Sequence, residues 1–361
     1  MIVKAKRTPI GKKSGALKSW APHELAAPLL QCLAKGIEIE VNDVILGNIV
    51  GPGGNVARLA ALQADLPLSV PGLTIDRQCS AGLEAIRMAC YFVQGGAGKV
   101  YIAGGTESTS TSPFPARARF SPDHIGDPDM GMAAEYVAQD YAITREEQDE
   151  WTRISCERSW KAFEEGLYEP EIMQVGSLRS DEEFYKRRDI EKLAKRAKAV
   201  FQREGGTVTA VNSCGIHDGA SAVLVMEEQT ALAHQLQPVM RFVDSQVAGV
   251  HPHYPGIAPV PAIQQLLARN HLTIEDIDLI EINEAFAVKI AACARELDIP
   301  VHKLNVQGGA LTLGHPYGAS GAILVTRLFY EMQRRPEARY AIAALGSGGG
   351  VGTAVLFEAI R

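Results

Sequence analysis

No stretch of the 361-residue chain reaches the roughly 18 consecutive apolar residues that a membrane-spanning helix needs. Met1 runs straight into Ile-Val-Lys-Ala-Lys-Arg, without the apolar core of a signal peptide, so the expectation is a protein of the cytoplasm. The six cysteines, at 32, 79, 90, 156, 214 and 293, include no Cys-x-x-Cys pair, and the histidines show no paired spacing. Neither a metal site nor a disulfide framework is therefore expected, and most of these cysteines read as small core residues. Basic charge is not in excess either: 36 Lys and Arg stand against 42 Asp and Glu, a net charge of −6 and a pI of about 5.9. Such a balance argues against nucleic acid or an anionic membrane as the main partner. What is present, 46% hydrophobic and 22% charged residues, suits a globular protein long enough for roughly two or three domains.

Strand and helix patterns alternate along the chain, which predicts α/β layers. Ile2 to Arg7 reads as a strand, His23 to Leu33 as a helix, Val44 to Val50 as a fully buried strand, and Asn55 to Ala64 as a helix. A weak internal repeat is visible. A glycine turn, an apolar helix, a buried strand and a closing glycine pair run from Cys79 to Gly105, and the same order recurs from Gly314 to Gly348. Two related halves would bring two glycine-rich corners to face each other across a cleft. Between them, from about Ser110 to Phe201, charge becomes dense, and the runs starting at Arg145 and Lys186 read as solvated helical faces.

The first corner carries a cysteine. Leu73 to Cys79 is a short β-branched run, Ser80-Ala81-Gly82 a tight turn, and the residues from Leu83 an amphipathic helix. A thiol at the positive end of a helix is expected to have its thiolate favoured, hence its nucleophilicity near neutral pH. On this stretch alone, a buried small hydrophobe is an equal reading of Cys79. The second corner, Gly308 to Gly321, holds His315 in Gly-His-Pro just ahead of an apolar helix. Glu281-Ile-Asn283-Glu-Ala285-Phe286-Ala lies upstream and Leu345-Gly346-Ser347-Gly348-Gly-Gly-Val-Gly352 downstream. The last run lacks the spacing of a dinucleotide fingerprint, and a strand pattern follows it instead of a helix.

Together these segments resemble the signature blocks of the thiolase family: an acylated cysteine, an Asn-Glu-Ala-Phe block, a Gly-His-Pro block and a final Cys-x-Gly-Gly-Gly-x-Gly block. Arg7 to Gly11, Gly104 to Ser108, Asp129 to Glu135, Gly206 to Ala210, His217 to Ala220 and Gly256 to Ala262 are similar to other blocks of that family, so the resemblance spans nearly the whole chain. It implies a five-layered α/β/α/β/α fold of two duplicated halves, 1–109 with 205–229 and 230–361, and an inserted loop domain at 110–204. It also implies an acyltransferase of the acetyl-CoA C-acyltransferase type, in fatty acid metabolism, that works as a homodimer on an acyl-CoA thioester and keeps no cofactor permanently. By the same resemblance Cys79 is the nucleophile, and His315 helps to deprotonate it. Asn283 completes one oxyanion site with His315, and the N–H groups of Cys79 and Gly348 form a second. Met130, Gly314, Ala285 and Phe286 correspond to coenzyme A contacts.

The chain departs from the family in three places. Gly346 stands where the family has the cysteine that takes the α-proton of acetyl-CoA, and Ser347 beside it is a far weaker base that should point the other way. Loss of a positioned base typically costs about 10² to 10⁴ in rate, so carbon–carbon chemistry is expected to suffer more than acylation of Cys79. Asp129 replaces a histidine common in the family, and the segment from Phe114 to Asp129 is shorter than usual, which favours a dimer over a tetramer. Two alternatives stay open. One is acyl transfer to water, a thiol or an amine without a carbanion, and the other is a non-catalytic homologue that binds acyl-CoA.

Overall fold

A computed structural model describes every residue except Glu38 and Pro115. The first half opens with β1 (Ile2–Arg7), a two-residue β2 (Gly11–Lys12), α1 (Pro22–Ala34), β3 (Asp43–Gly47), α2 (Val56–Gln63), β4 (Gly72–Ile75), α3 (Ala81–Gln94) and β5 (Val100–Glu107). α4 (Met130–Asp140), α5 (Arg145–Glu164) and α6 (Ile190–Arg196) follow before β6 (His217–Met226) and α7 (Glu228–Ala233). The second half holds β7 (Met240–Gly249), α8 (Pro259–Arg269), β8 (Leu279–Ile282), α9 (Ala287–Glu296), α10 (Ala310–Leu313), α11 (Tyr317–Arg334), β9 (Tyr340–Ser347) and β10 (Val351–Ala359).

The strands run in the order β4-β3-β5-β6-β1-β7-β10-β9-β8. β3 is parallel to β4 and β5, and β8 is parallel to β9, while β6, β1, β10 and β7 join antiparallel. Among the described residues, the halves meet in the sheet where Ile2 pairs with Met240. α3 and α11 pack on each other between the two half-sheets, α1 and α2 cover the far side of the first, and α8 covers the far side of the second. That arrangement is five layers. The largest apolar cluster is this middle layer, with Leu83, Ile86, Val325, Leu328 and Phe329 against Val223, Leu345 and Phe357. The central helices approach closely because a side chain at Gly82 would meet the Gly318 carbonyl at 2.5 Å, and one at Gly321 would run into the Leu83 backbone.

The expected strand at Val44 to Val50 stops at Gly47. Asn48 instead turns its amide onto the Thr106 carbonyl at 2.9 Å, and the Ile49 and Val50 N–H groups donate to the Glu107 carboxylate, each at 3.2 Å. Glu107 also accepts from the Gly318 N–H at 3.1 Å, so one buried carboxylate ties β3 and β5 to the start of α11. Among the described residues no helix is long and apolar enough to cross a membrane.

Candidate active site

Cys79 is placed by the chain that precedes it. After β4, Asp76 accepts the Gln78 N–H at 2.7 Å and Gln78 takes φ 49°, a left-handed conformation that a side chain adopts only at a cost. α3 begins at Ala81, so Cys79 stands at the strand-to-helix corner its sequence suggests. The Ser80 N–H donates to Ser347 Oγ at 2.9 Å, and the two hydroxyls meet at 2.6 Å. The corner of the first half is thereby fastened to the glycine-rich turn of the second, where Gly349 and Gly350 have φ 81° and 77°. Among the described residues, the N–H groups of Cys79 and Gly348 donate to no backbone carbonyl, and the Cys79 N–H faces its own sulfur. The Phe120 ring packs against Gly348, within 2.8 Å of where a side chain would begin.

The expected lowering of the thiol is not found. Burial pushes the Cys79 thiol up to about 11, and the largest opposing influence is Lys289, not the helix end. The thiolate must therefore be stabilised by a neighbouring cation or be formed by a base as substrate arrives.

His315 is 3% exposed, and its Nδ1 lies 2.5 Å from Ser320 Oγ. Ser320 also reaches the Pro316 carbonyl at 3.3 Å. When the hydroxyl donates there, Nδ1 carries the imidazole proton and Nε2 keeps its lone pair. Burial, with Lys289 and His217 nearby, lowers His315 to about 3, so the ring is neutral at neutral pH. Asn283 follows β8, is 2% exposed, and its backbone N–H donates to Ala344 at 3.2 Å. Its Nδ2 has no partner, and with Gly314 and Ser320 the residue lines a cavity of about 20 Å³, room for one water. Glu284 has a scaffold role: it accepts from Ser155 at 2.6 Å, Asn305 at 2.8 Å and the Leu311 N–H at 3.2 Å.

Of the four residues carried over as coenzyme A contacts, Met130, Ala285 and Phe286 share one small cavity with Lys289 and Gly346. Gly314 lies apart from them, at φ 105° with its open side filled by the His217 ring. Asp129 caps α4 by accepting the Gly131 N–H at 2.9 Å, a structural reason for an aspartate there. A side chain at Gly346 would run into the Pro255 carbonyl oxygen and come within 3.0 Å of Pro259 Cδ. Instead, Lys289 Nζ donates to the Gly346 carbonyl at 3.4 Å.

The segment 213–216 threads between these groups. Ser213 pairs with Phe286, the Cys214 N–H donates to Ala285 at 3.0 Å, and Ile216 pairs with His315. Its other side forms a wall of a cavity of about 560 Å³, lined also by Phe201 and Leu311, with Lys12, Lys13, Lys186 and Arg188 along it. The charged residues of the run from Lys186 are exposed, as expected of a solvated face, but its helix starts only at Ile190, and Lys186 and Arg188 line the cavity. Cys214, read as core, lies within electrostatic reach of Cys79, with burial pushing its thiol up to about 12. Lys289 was missed as well. Its signal was a single lysine in the otherwise apolar opening turn of α9, Ala-Val-Lys-Ile-Ala-Ala.

The model of the thiolase N-terminal domain matches residues 1–229 of the chain, and that of the thiolase C-terminal domain matches residues 236–359. A Bacillus subtilis protein named "Putative acetyl-CoA C-acetyltransferase YhfS" is 61% identical over 360 residues, covering 100% of this chain and 99% of that protein. The Staphylococcus aureus "Putative acetyl-CoA C-acetyltransferase VraB" is 45% identical, covering 99% and 98%. The crystal structure of the Bacillus anthracis acetyl-CoA acetyltransferase superposes with a TM-score of 0.92 at 40% identity, covering 99% of this chain and 98% of that one.

Proposed function

We propose that this chain, which belongs to the thiolase family of acyltransferases, transfers acyl groups from acyl-CoA by way of an acyl-Cys79 intermediate, as an acetyl-CoA C-acetyltransferase does. The observation that carries this reading is the fastening of the Cys79 corner to the Gly348 turn through Ser80 and Ser347. It supports a thioester carbonyl at Cys79 with two backbone N–H groups available to its oxygen as charge develops. In this reading neutral His315, held by Ser320, accepts the thiol proton at Nε2 while Asn283 steadies the water beside it. The pantetheine arm would lie along the 213–216 wall of the large cavity, and Lys12, Lys13, Lys186 and Arg188 suit the phosphates of coenzyme A.

Position 346 contributes no base to the carbon–carbon half of the reaction. A chain with no other base would pass its acyl group to water, a thiol or an amine, and the closed space at Gly346 favours this as the second reading. Exposure to acetyl-CoA separates both from a binding protein: an acetyl adduct on Cys79 is expected, and its absence would contradict an enzyme. A homodimer belongs to the same proposal. The free sheet edge at β4, whose Leu73 and Ile75 are only half-buried, and the exposed Leu59, Leu62 and Leu68 nearby give it an apolar face. A solution mass near four subunits, or near one, would contradict it.

A further inference from the structure

Lys289 is a buried cation precursor without a counter-charge. It is 2% exposed, and among the described residues no carboxylate lies within ion-pair distance of it. Its hydrogen bond is to the carbonyl of Gly346, the residue standing where the family's base cysteine is found. It also sits in the first turn of α9, where the unpaired N–H groups repel positive charge. Burial without a counter-charge disfavours the ammonium and favours the free amine. The titratable groups within electrostatic reach of it are Cys79, Cys214, Cys293 and His315, none of them a carboxylate, and burial moves the lysine in the same direction, downward. The walls of its cavity include Met130, Ala285 and Phe286, three of the residues expected to hold the acyl-CoA.

We infer that Lys289 is the base of the carbon–carbon step, its amine occupying the role that position 346 leaves empty. The Nζ lone pair takes the α-proton of the second acyl-CoA. The C–H electron pair becomes the enolate, which forms a carbon–carbon bond to the carbonyl carbon of acyl-Cys79. The thioester C–S bond breaks, its electrons stay on Sγ, and the Lys289 ammonium returns its proton to that sulfur. The product is a 3-ketoacyl-CoA, and both the amine and the thiol are restored. Thiolysis is the reverse sequence. A buried lysine suits such a part, because desolvation favours its free amine over the ammonium.

This inference rests on the acyl-Cys79 reading, and the test reads the two separately. Wild type, Lys289→Met and Lys289→Gln are treated with acetyl-CoA, scoring the Cys79 adduct by intact mass and the exchange of the acetyl methyl protons with D₂O. Thiolysis of acetoacetyl-CoA is followed in parallel. Both variants are expected to keep the adduct and to lose exchange and thiolysis by about 10²- to 10⁴-fold, with partial rescue by added small primary amines. Retained adduct certifies the fold of each variant. Unchanged exchange in both variants would overturn the inference and leave the acyl-Cys79 reading intact. So would loss of adduct and exchange together, exchange that vanishes in Cys214→Ala but not in Lys289→Met, or an acyl group that resists hydroxylamine and maps to Lys289. No adduct on wild type would overturn both.

Discussion

The hydroxyls of Ser80 and Ser347 meet at 2.6 Å, both fully buried, and join the turn that carries the nucleophile to the turn that carries Gly348. The packing of α3 on α11 brings the two corners together, and this bond joins them directly. The bond spans 267 residues of sequence and bears on how far the Gly348 N–H stands from the Cys79 corner. Ser347→Ala leaves Ser80 Oγ without this partner, which should cost about 1–3 kcal/mol in urea unfolding. It should also slow acetylation of Cys79. Unchanged stability together with unchanged acetylation would show that the two corners are held by packing alone.

The Cys79 thiol, pushed up to about 11, predicts a distinct pH profile for alkylation by iodoacetamide. Below that value the thiolate fraction rises about tenfold per pH unit, so the rate in ligand-free protein should climb steadily from pH 7 to 10. A plateau already reached below pH 8 would mean that the helix end or Lys289 stabilises the thiolate far more than burial opposes it.

Gly346→Cys restores the family's cysteine in the sequence but not in space. The new Cβ meets the Pro255 carbonyl, which belongs to backbone and cannot rotate away. The substitution should lower stability by about 1–3 kcal/mol and leave thiolysis of acetoacetyl-CoA no faster. Faster thiolysis at unchanged melting temperature would show that the backbone yields there and that a thiolate serves better than the lysine.

How far the sequence was legible depended on whether a residue's role is local. The corner at Cys79 and the helix after it follow from a β-branched run, a turn and helical periodicity, all within one stretch. The layered fold was legible because buried strands alternate with apolar helices. The end of β3 at Gly47 was not, since Ile49 and Val50 continue the apolar run and Asn48 to Val50 are drawn off by Glu107 from 57 to 59 residues away. The thiol's environment was misread for the same reason: helix position is visible in sequence, whereas its burial and its approach to Lys289 come from the other half of the chain. Cys214 and Lys289 sit in no signature block, and only the fold brings them to Cys79.

The most direct test of the acyl-Cys79 account is the intact mass of wild type and Cys79→Ala after brief incubation with acetyl-CoA. The account predicts one acetyl group on wild type, released by hydroxylamine or free coenzyme A, and none on Cys79→Ala. An unmodified wild type, or an adduct that persists in Cys79→Ala, would contradict it.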